Sequence, residues 1–427
     1  MKIGVAGLWH LGVMYAAGFA KLGHKVIAYD PNPDSITSLK NGDLLVFEPQ
    51  LREMILENLN KGNLKFTNEE SDLQEVELFV LAYDTPVDDE DNADVDFVIS
   101  EFTRIAEHLN SNAHILISSQ LPVGSSDIIQ EVQKKLGHKG NVIVQPENLR
   151  LGKAIDSFFG PGRIVAGTVD GKSDQFVIDA FNGIEAPIIW MHRKSAEVTK
   201  HALNAFLATS VTFMGELSEI CENVGADAKE VEIGLKSDPR IGTRAYLSPG
   251  LGFAGGTLAR DVHKLSKLLS GIRNTPAIFT SLMISNRHNN DWVSRSLEKI
   301  STQKEGLRIC FWGISYTDNT DTLRRSETYL LMKNLAIGNG KISYVEDLPI
   351  KDAVDPRILC IGSLEESIRD IDVLVVNKSL KNHIKTPKLL EHLQKDGMWI
   401  LDASRILLEL NSDLIERPRY LTVGKGL

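Results

Sequence analysis

Residues 1 to 30 constrain the fold more than any other stretch, because they read as a strand, a glycine turn, a helix and a second strand ending in an acid. That order is the start of a βαβ unit. A dinucleotide site built on such a unit uses Gly-x-Gly-x-x-Gly, so that the backbone passes close to the pyrophosphate at a helix N-terminus. An acid about 20 residues further on meets the ribose hydroxyls. This chain has Gly7-Leu8-Trp9-His10-Leu11-Gly12 and then Asp30. The first and third glycines and the acid match, and Trp9 stands at the middle glycine. The turn is expected to bind NAD through Gly7, Trp9, His10, Leu11, Gly12 and Asp30. The competing reading is a unit that packs well and binds nothing. Asp30 favours NAD over NADP, whose extra phosphate it would repel. His10, in a helix-opening turn, is read as a packing or capping residue without chemistry.

A chain of 427 residues is too long for one ordinary core, so two or three domains are expected. The net charge of −10 argues against a general nucleic-acid or anionic-membrane binder. An anionic nucleotide would then need a local cluster of Arg and Lys. Cys221, Cys310 and Cys360 are scattered and show no CxxC spacing, so neither a disulfide framework nor a metal site is expected. A reducing cytoplasm suits them. Lys2 followed by an apolar run to Ala20 imitates a signal peptide, but Gly7, His10 and Gly12 interrupt it and the strand Lys25 to Asp30 follows directly. No other apolar stretch approaches the ~18 residues that span a bilayer. The expectation is a soluble, unprocessed protein.

The α/β alternation continues along the chain. Apolar runs at 75–82, 114–119 and 141–144 read as strands, and each delivers polar residues to its C-terminal end, where open parallel sheets bind ligands. Those turns hold Tyr83-Asp84-Thr85-Pro86, Gln120-Leu121-Pro122-Val123-Gly124, and Gln145-Pro146-Glu147-Asn148-Leu149-Arg150-Leu151-Gly152. The acidic run Asp88 to Asp96 reads as a solvated loop. Residues 194 to 225 carry the longest helical pattern, with Val198, Ala202, Ala205, Phe206, Thr209, Phe213, Leu217 and Ile220 at three- and four-residue spacing. Lys200 and Asn204 share one face of it. Taken alone they read as a solvent-facing Lys with an incidental Asn. Arg240, Arg244 and Arg260 cluster in an otherwise acidic chain, fitting either an anion site or solubility charge. Between them lies Pro249 to Asp261, where Gly250, Gly252, Gly255 and Gly256 allow close backbone approach to a ligand. After a polar break at 301–306, a second α/β unit has strands at 307–312, 342–345, 373–376 and 399–402.

In order, these segments resemble the UDP-glucose/GDP-mannose dehydrogenase family, with its Gly-x-Gly-Tyr-Val-Gly, Gly-Thr-Pro, Ser-Thr-Val-Pro-Val-Gly and Asn-Pro-Glu-Phe-Leu-x-Glu-Gly motifs. Thr85, Pro86, Ser119, Pro122, Val123, Gly124, Pro146, Glu147, Leu149 and Gly152 match, whereas Gln120 replaces a threonine and Leu151 a glutamate. Ala196 to Ala208 is similar to the family's central helix, Ala-Glu-x-x-Lys-x-x-x-Asn-Ala-Phe, and Thr320, Asp321, Arg324 and Ser326 to its UDP-binding domain, where Thr317 replaces a lysine. Ala403-Ser404-Arg405 resembles the family's closing Asp-x-Arg pattern. The glycine loop resembles Gly-Phe-Gly-Gly-Ser-Cys-Phe-x-Lys-Asp, with Thr257 at the catalytic cysteine. The resemblance implies two Rossmann-like parallel-sheet domains joined by a long central helix and a helical dimerisation region. The implied bounds are 1–193 for NAD binding, 194–300 for the helical and substrate region, and 301–427 for the nucleotide sugar.

The resemblance further implies a homodimer and a nucleotide-sugar substrate. It puts Glu147, Lys200, Asn204 and Asp261 at the reacting sugar, with Thr257 not expected to act as a nucleophile. Thr85, Pro86, Ser119 and Gln120 join the cofactor set. The implied substrate contacts are Leu149, Arg150, Arg240, Arg244, Tyr246, Gly252, Phe253, Gly255, Arg260, Arg324 and Arg405. Family members oxidise a primary alcohol to a carboxylate in two hydride transfers, the second through a thiohemiacetal on the cysteine. A threonine hydroxyl is a poor substitute for a thiolate. Three readings follow: a dehydrogenase, stopping at the aldehyde or reaching the acid through its hydrate; a hydride-cycling epimerase; or a non-catalytic nucleotide-sugar binder.

Overall fold

Parallel strands buried on both faces must be apolar along their whole length, and the chain's Val/Ile/Leu runs meet that condition. The computed structural model describes residues 1–85, 94–147, 149–254, 257–272, 277–302, 306–315, 320–324, 326–338, 340–378, 380, 389, 393 and 397–426. It divides into two compact units, Met1–Ala202 and Leu203–Leu427.

The first unit holds a sheet of strands β1 (Lys2–Ala6), β2 (Lys25–Tyr29), β3 (Leu64–Thr67), β4 (Leu78–Leu81), β5 (His114–Ile117), β6 (Val142–Val144), β7 (Ile164–Thr168) and β8 (Ile188–His192). Their order is β3-β2-β1-β4-β5-β6-β7-β8. The pairs are parallel except β6 with β7, which meet antiparallel at Val144 and Gly167. The run at 75–82 yields a strand only from Leu78, because Glu70–Glu75 forms a 3₁₀ turn. Strands β3, β7 and β8 carry exposed or polar residues among their apolar ones, which hides them from a search for apolar runs.

The helix Leu11–Lys21 explains the apolar N-terminal run. All its residues from Leu11 to Ala20 are buried, and a helix apolar all round belongs in a core. It packs through Tyr15 and Phe19 onto Phe158 and Phe181. The order reverses at β1, whose neighbours are β2 and β4. The crevice at that switch point lies beyond the C-terminal ends of β1 and β4, where such sheets take ligands. Helix Arg193–Val224 runs for 32 residues, and its first turns belong to this unit. Gly167 lets it close on the sheet, since a Cβ there would lie 2.6 Å from that of Ala196.

The second unit carries the rest of that helix and the helices Ala228–Ser237, Thr257–Ser270, Ile278–Asn290 and Trp292–Ser301. Its sheet comprises β9 (Arg308–Trp312), β10 (Lys341–Val345), β11 (Ile358–Cys360), β12 (Val373–Val376), β13 (Trp399–Asp402) and β14 (Tyr420–Thr422). The order β11-β10-β9-β12-β13-β14 is parallel throughout. Trp312 and Phe311 point to opposite faces of β9 and anchor separate core clusters. Among the described residues no helix is long and apolar enough to cross a membrane.

Candidate active site and cofactor crevice

The turn after β1 is shaped by neighbouring backbone. Gly7 has φ +95°, and a Cβ there would lie 2.6 Å from the Tyr83 backbone; a Cβ on Gly12 would lie 2.2 Å from the Gly7 carbonyl oxygen. Both glycines are therefore required by close approach. Trp9 directs its side chain outward and is 40% exposed. His10 is buried, its Nε2 3.0 Å from Glu48 Oε2. Glu48 also accepts from the amides of Gly152 (2.9 Å) and Ala154 (2.7 Å), tying the turn to the segment after β6. Leu11 is buried, and half-buried Asp30 accepts from the Asn32 amide at 2.9 Å. The carboxylate of Asp84 accepts from the amides of both His10 and Leu11 at 3.3 Å.

Beyond the ends of β5 and β6, Ser119, Gln120, Glu147, Glu197, Lys200 and His201 line a small open cleft. Lys200 donates to the Glu147 carbonyl oxygen (2.6 Å) and carboxylate (3.2 Å), and Glu147 in turn accepts from the Leu149 amide (2.7 Å). Glu197 caps the helix Ser125–Lys135 through the amides of Gly124 (2.7 Å) and Ser126 (3.0 Å). Ser119 donates to the Leu81 carbonyl (3.2 Å), Thr85 to that of Gln120 (3.1 Å), and His201 Nε2 lies 3.2 Å from that of Leu121. Behind the cleft Tyr15 and Ser118 donate to Gln145, which holds the Pro146 carbonyl. Burial pushes the Tyr15 phenol far up, keeping it a neutral donor. Leu149 is half-buried and Arg150 exposed.

In the second unit, Asn204 Nδ2 donates to Asp261 Oδ2 at 2.5 Å, with Asp261 fully buried. Asn286 holds the glycine loop: it accepts from the Phe253 amide (2.8 Å) and donates to the Phe253 carbonyl (2.9 Å). A Cβ on Gly252 would lie 2.4 Å from that Asn286 oxygen. Thr257, exposed, opens the helix Thr257–Ser270, and Arg260 is half-buried one turn later. Burial, with the charge of Arg260 beside it, pushes Lys264 down to about 8 against the opposing pull of Asp261. Arg240 is exposed and forks onto Asp238 at 3.0 and 2.7 Å. Arg244, Tyr246 and Arg324 are exposed as well. Arg405 pairs with Asp227 at 2.9 Å, both largely shielded. Pro86 and Gly255, named from the sequence, lie outside the described residues, as does Thr317. Among the described residues no cluster of acids, histidines or cysteines could hold a metal ion.

The second sheet has its own glycine turn, where Glu346 accepts from the amides of Ile314 (2.7 Å) and Ser315 (2.8 Å) and Lys378 donates to Ser315 (2.7 Å).

The family model for the NAD binding domain of the UDP-glucose/GDP-mannose dehydrogenase family matches residues 1–184, and that for its central domain matches residues 194–288. The chain belongs to this family. A UDP-glucose 6-dehydrogenase of Bacillus subtilis, TuaD, is 31% identical over 82% of this chain and 77% of its own. Another from that organism, YwqF, is 28% identical over 88% of this chain and 87% of its own. In fold, the chain is similar to a UDP-glucose dehydrogenase structure from Pyrobaculum islandicum, with a TM-score of 0.89 at 23% identity, covering 100% of this chain and 98% of that one.

The cofactor of this dehydrogenase family's N-terminal domain is NAD. The crevice fits it: Gly7 and Gly12 bring the turn tight against the start of an 11-residue helix, and Asp30 stands at the end of β2. Sequence reasoning passed over Asp84, Glu48, Glu197, Asn286 and Lys264. Asp84 and Glu197 had left signs, since Asp84 occupies the glycine position of the family's Gly-Thr-Pro motif and Glu197 is the glutamate of Ala-Glu-x-x-Lys. The others sit at positions where only the tertiary partner reveals a role.

Proposed function

We propose that this protein oxidises the primary alcohol of a nucleotide sugar of the UDP-glucose type and releases the aldehyde. NAD, when bound, supplies the hydride acceptor. The alcohol must also lose a proton, and Lys200 supports that role. Its ammonium is held by Glu147 and both side chains are largely shielded, a setting where it can orient a water or stabilise an alkoxide. Asp261, held by Asn204 in the second unit, is the acid that the family's pattern assigns to the reacting sugar. By the family's pattern, residues 1–193 bind NAD, 194–300 form the helical region and 301–427 hold the nucleotide sugar.

The setting of Thr257 carries the reading. Its side chain is exposed, and among the described residues no base is hydrogen-bonded to its hydroxyl. Without such a base a hydroxyl is a weak nucleophile, and β-branching narrows its rotamers. The first oxidation needs no covalent nucleophile, whereas the family's second one does. Its similarity to two UDP-glucose 6-dehydrogenases supports a UDP-glucose-like substrate. Incubating the purified protein with NAD and a panel of nucleotide sugars, counting NADH and weighing the product, tests this. About one NADH per sugar and an aldehyde are expected, one hydride being one two-electron oxidation. A carboxylate formed with twice that NADH and no added nucleophile would overturn the proposal, and an epimerised sugar without net NADH would replace it by hydride cycling.

A homodimer belongs to the same proposal. Phe206 (69% exposed), Phe213 (47%), Ile220 (55%) and Val224 (70%) form an apolar stripe along the long helix. Phe206, Phe213 and Ile220 repeat every seven residues, the spacing at which two helices pack side by side.

A further inference from the structure

In a dinucleotide fold the pyrophosphate takes the first amides of the helix after β1, where the helix dipole adds partial positive charge. Here those amides already have an acceptor. His10 and Leu11 each donate to the same oxygen of Asp84, at 3.3 Å. The position of Asp84 is set by the backbone. β4 pairs with β1 in parallel register, Ala6 opposite Leu81, and its exit fills the space beside Gly7 left by the absent Cβ. A carboxylate and a pyrophosphate cannot both hold these donors while charged without strong repulsion in a shared crevice.

We propose that Asp84 is a resident stand-in for the cofactor's pyrophosphate, and that NAD binding is coupled to uptake of a proton by this carboxyl. The groups that face it are His10 from the turn, itself bonded to Glu48, and Glu147 from the segment after β6, itself bonded to Lys200. Asp84 is exposed as a residue, yet protein atoms crowd its carboxyl. That confinement lifts its carboxyl above the usual range, against the pull of His10 and of the two amides, and the charge of Glu147 lifts it further. A bound pyrophosphate adds negative charge and must lift it again. In the window between the free and the bound value, protons are taken up on binding, so affinity falls as pH rises.

Calorimetric titration of the full-length protein with NAD from about pH 5.5 to about pH 8.5, in buffers of different ionisation enthalpy, counts these protons. The wild type is expected to take up a proton on binding NAD within that range, approaching one per NAD where the uptake is greatest. Its Kd should rise by up to about tenfold per pH unit there. Asp84→Asn and Asp84→Ser should bind NAD at least about tenfold more tightly at the upper end, with neither the slope nor the uptake. A slope that persists in both variants would assign the proton to His10 or Glu147 and overturn the inference, as would a wild-type Kd that does not change with pH. Absence of NAD binding in all three proteins would overturn the cofactor assignment and this inference together. Thermal unfolding of each variant separates loss of binding from loss of fold.

Discussion

Thr257 and Lys264 lie about two turns apart on one helix, and the chemistry of each can be measured. A thiol at Thr257 would sit at a helix N-terminus, which favours its thiolate. Thr257→Cys is therefore expected to move the product from aldehyde toward acid and NADH per sugar from about one toward two. An unchanged stoichiometry would show that more than the nucleophile is missing. Lys264 is held at about 8 against an ordinary value of 10.5. Between those values the unfolded chain binds more protons than the native one, so native stability rises with pH through that window. Below it the full cost of a confined ammonium is present. Lys264→Met is expected to raise unfolding free energy by about 1–3 kcal/mol at neutral pH, with the gain fading as pH approaches the ordinary lysine value. Denaturant curves at neutral and alkaline pH check this, and a variant no more stable than the wild type at neutral pH would refute it.

At the scale of elements, the helix Arg193–Val224 joins two kinds of behaviour. Its buried side presents Lys200 in the first unit and Asn204 in the second, while Phe206, Phe213 and Ile220 face solvent in an isolated chain. Isolated exposed apolar residues are ordinary, but a seven-residue repeat on one long helix is a surface that calls for a partner. Phe206→Glu combined with Phe213→Glu is expected to halve the molar mass measured by light scattering, because charge buried in such a seam is costly. A wild type already monomeric at assay concentrations would contradict the dimer. The sequence pattern located this helix closely, since 3.6-residue periodicity is a local property. It did not distinguish the faces: Val198 and Phe206 are exposed, whereas Lys200, which alone read as solvent-facing, and Asn204 are buried.

At the scale of the molecule, the second unit is held together across long sequence separations. Arg405 pairs with Asp227, and Glu222 accepts from the Gly424 amide at 2.8 Å, tying the end of the sheet to the helices. Burial alone would raise Asp227, but Arg405, the Lys229 amide and Lys425 outweigh it and hold the carboxyl below its usual 3.8. A depressed carboxylate contributes stability that is complete above the ordinary value and is lost as pH falls through the native one. Arg405→Met should cost about 3 kcal/mol at neutral pH by leaving Asp227 without its main partner, and the deficit should shrink in acid. A urea series at two pH values measures it; an equal deficit at both would assign the loss to packing instead. The α/β alternation, the glycine turn, the long helix and family membership were legible in the sequence, because each is written in local periodicity or contiguous motifs. Strands β3, β7, β8, β11 and β14 were not, being short or mixed in polarity. Nor were the partners of Asp84, Glu48 and Arg405, which lie 74, 104 and 178 residues away along the chain. Sequence determined that a glycine turn would meet a helix. Only the parallel register of β1 and β4 decided that an acid would already stand on its amides, because strand pairing alone sets which distant side chains share a crevice.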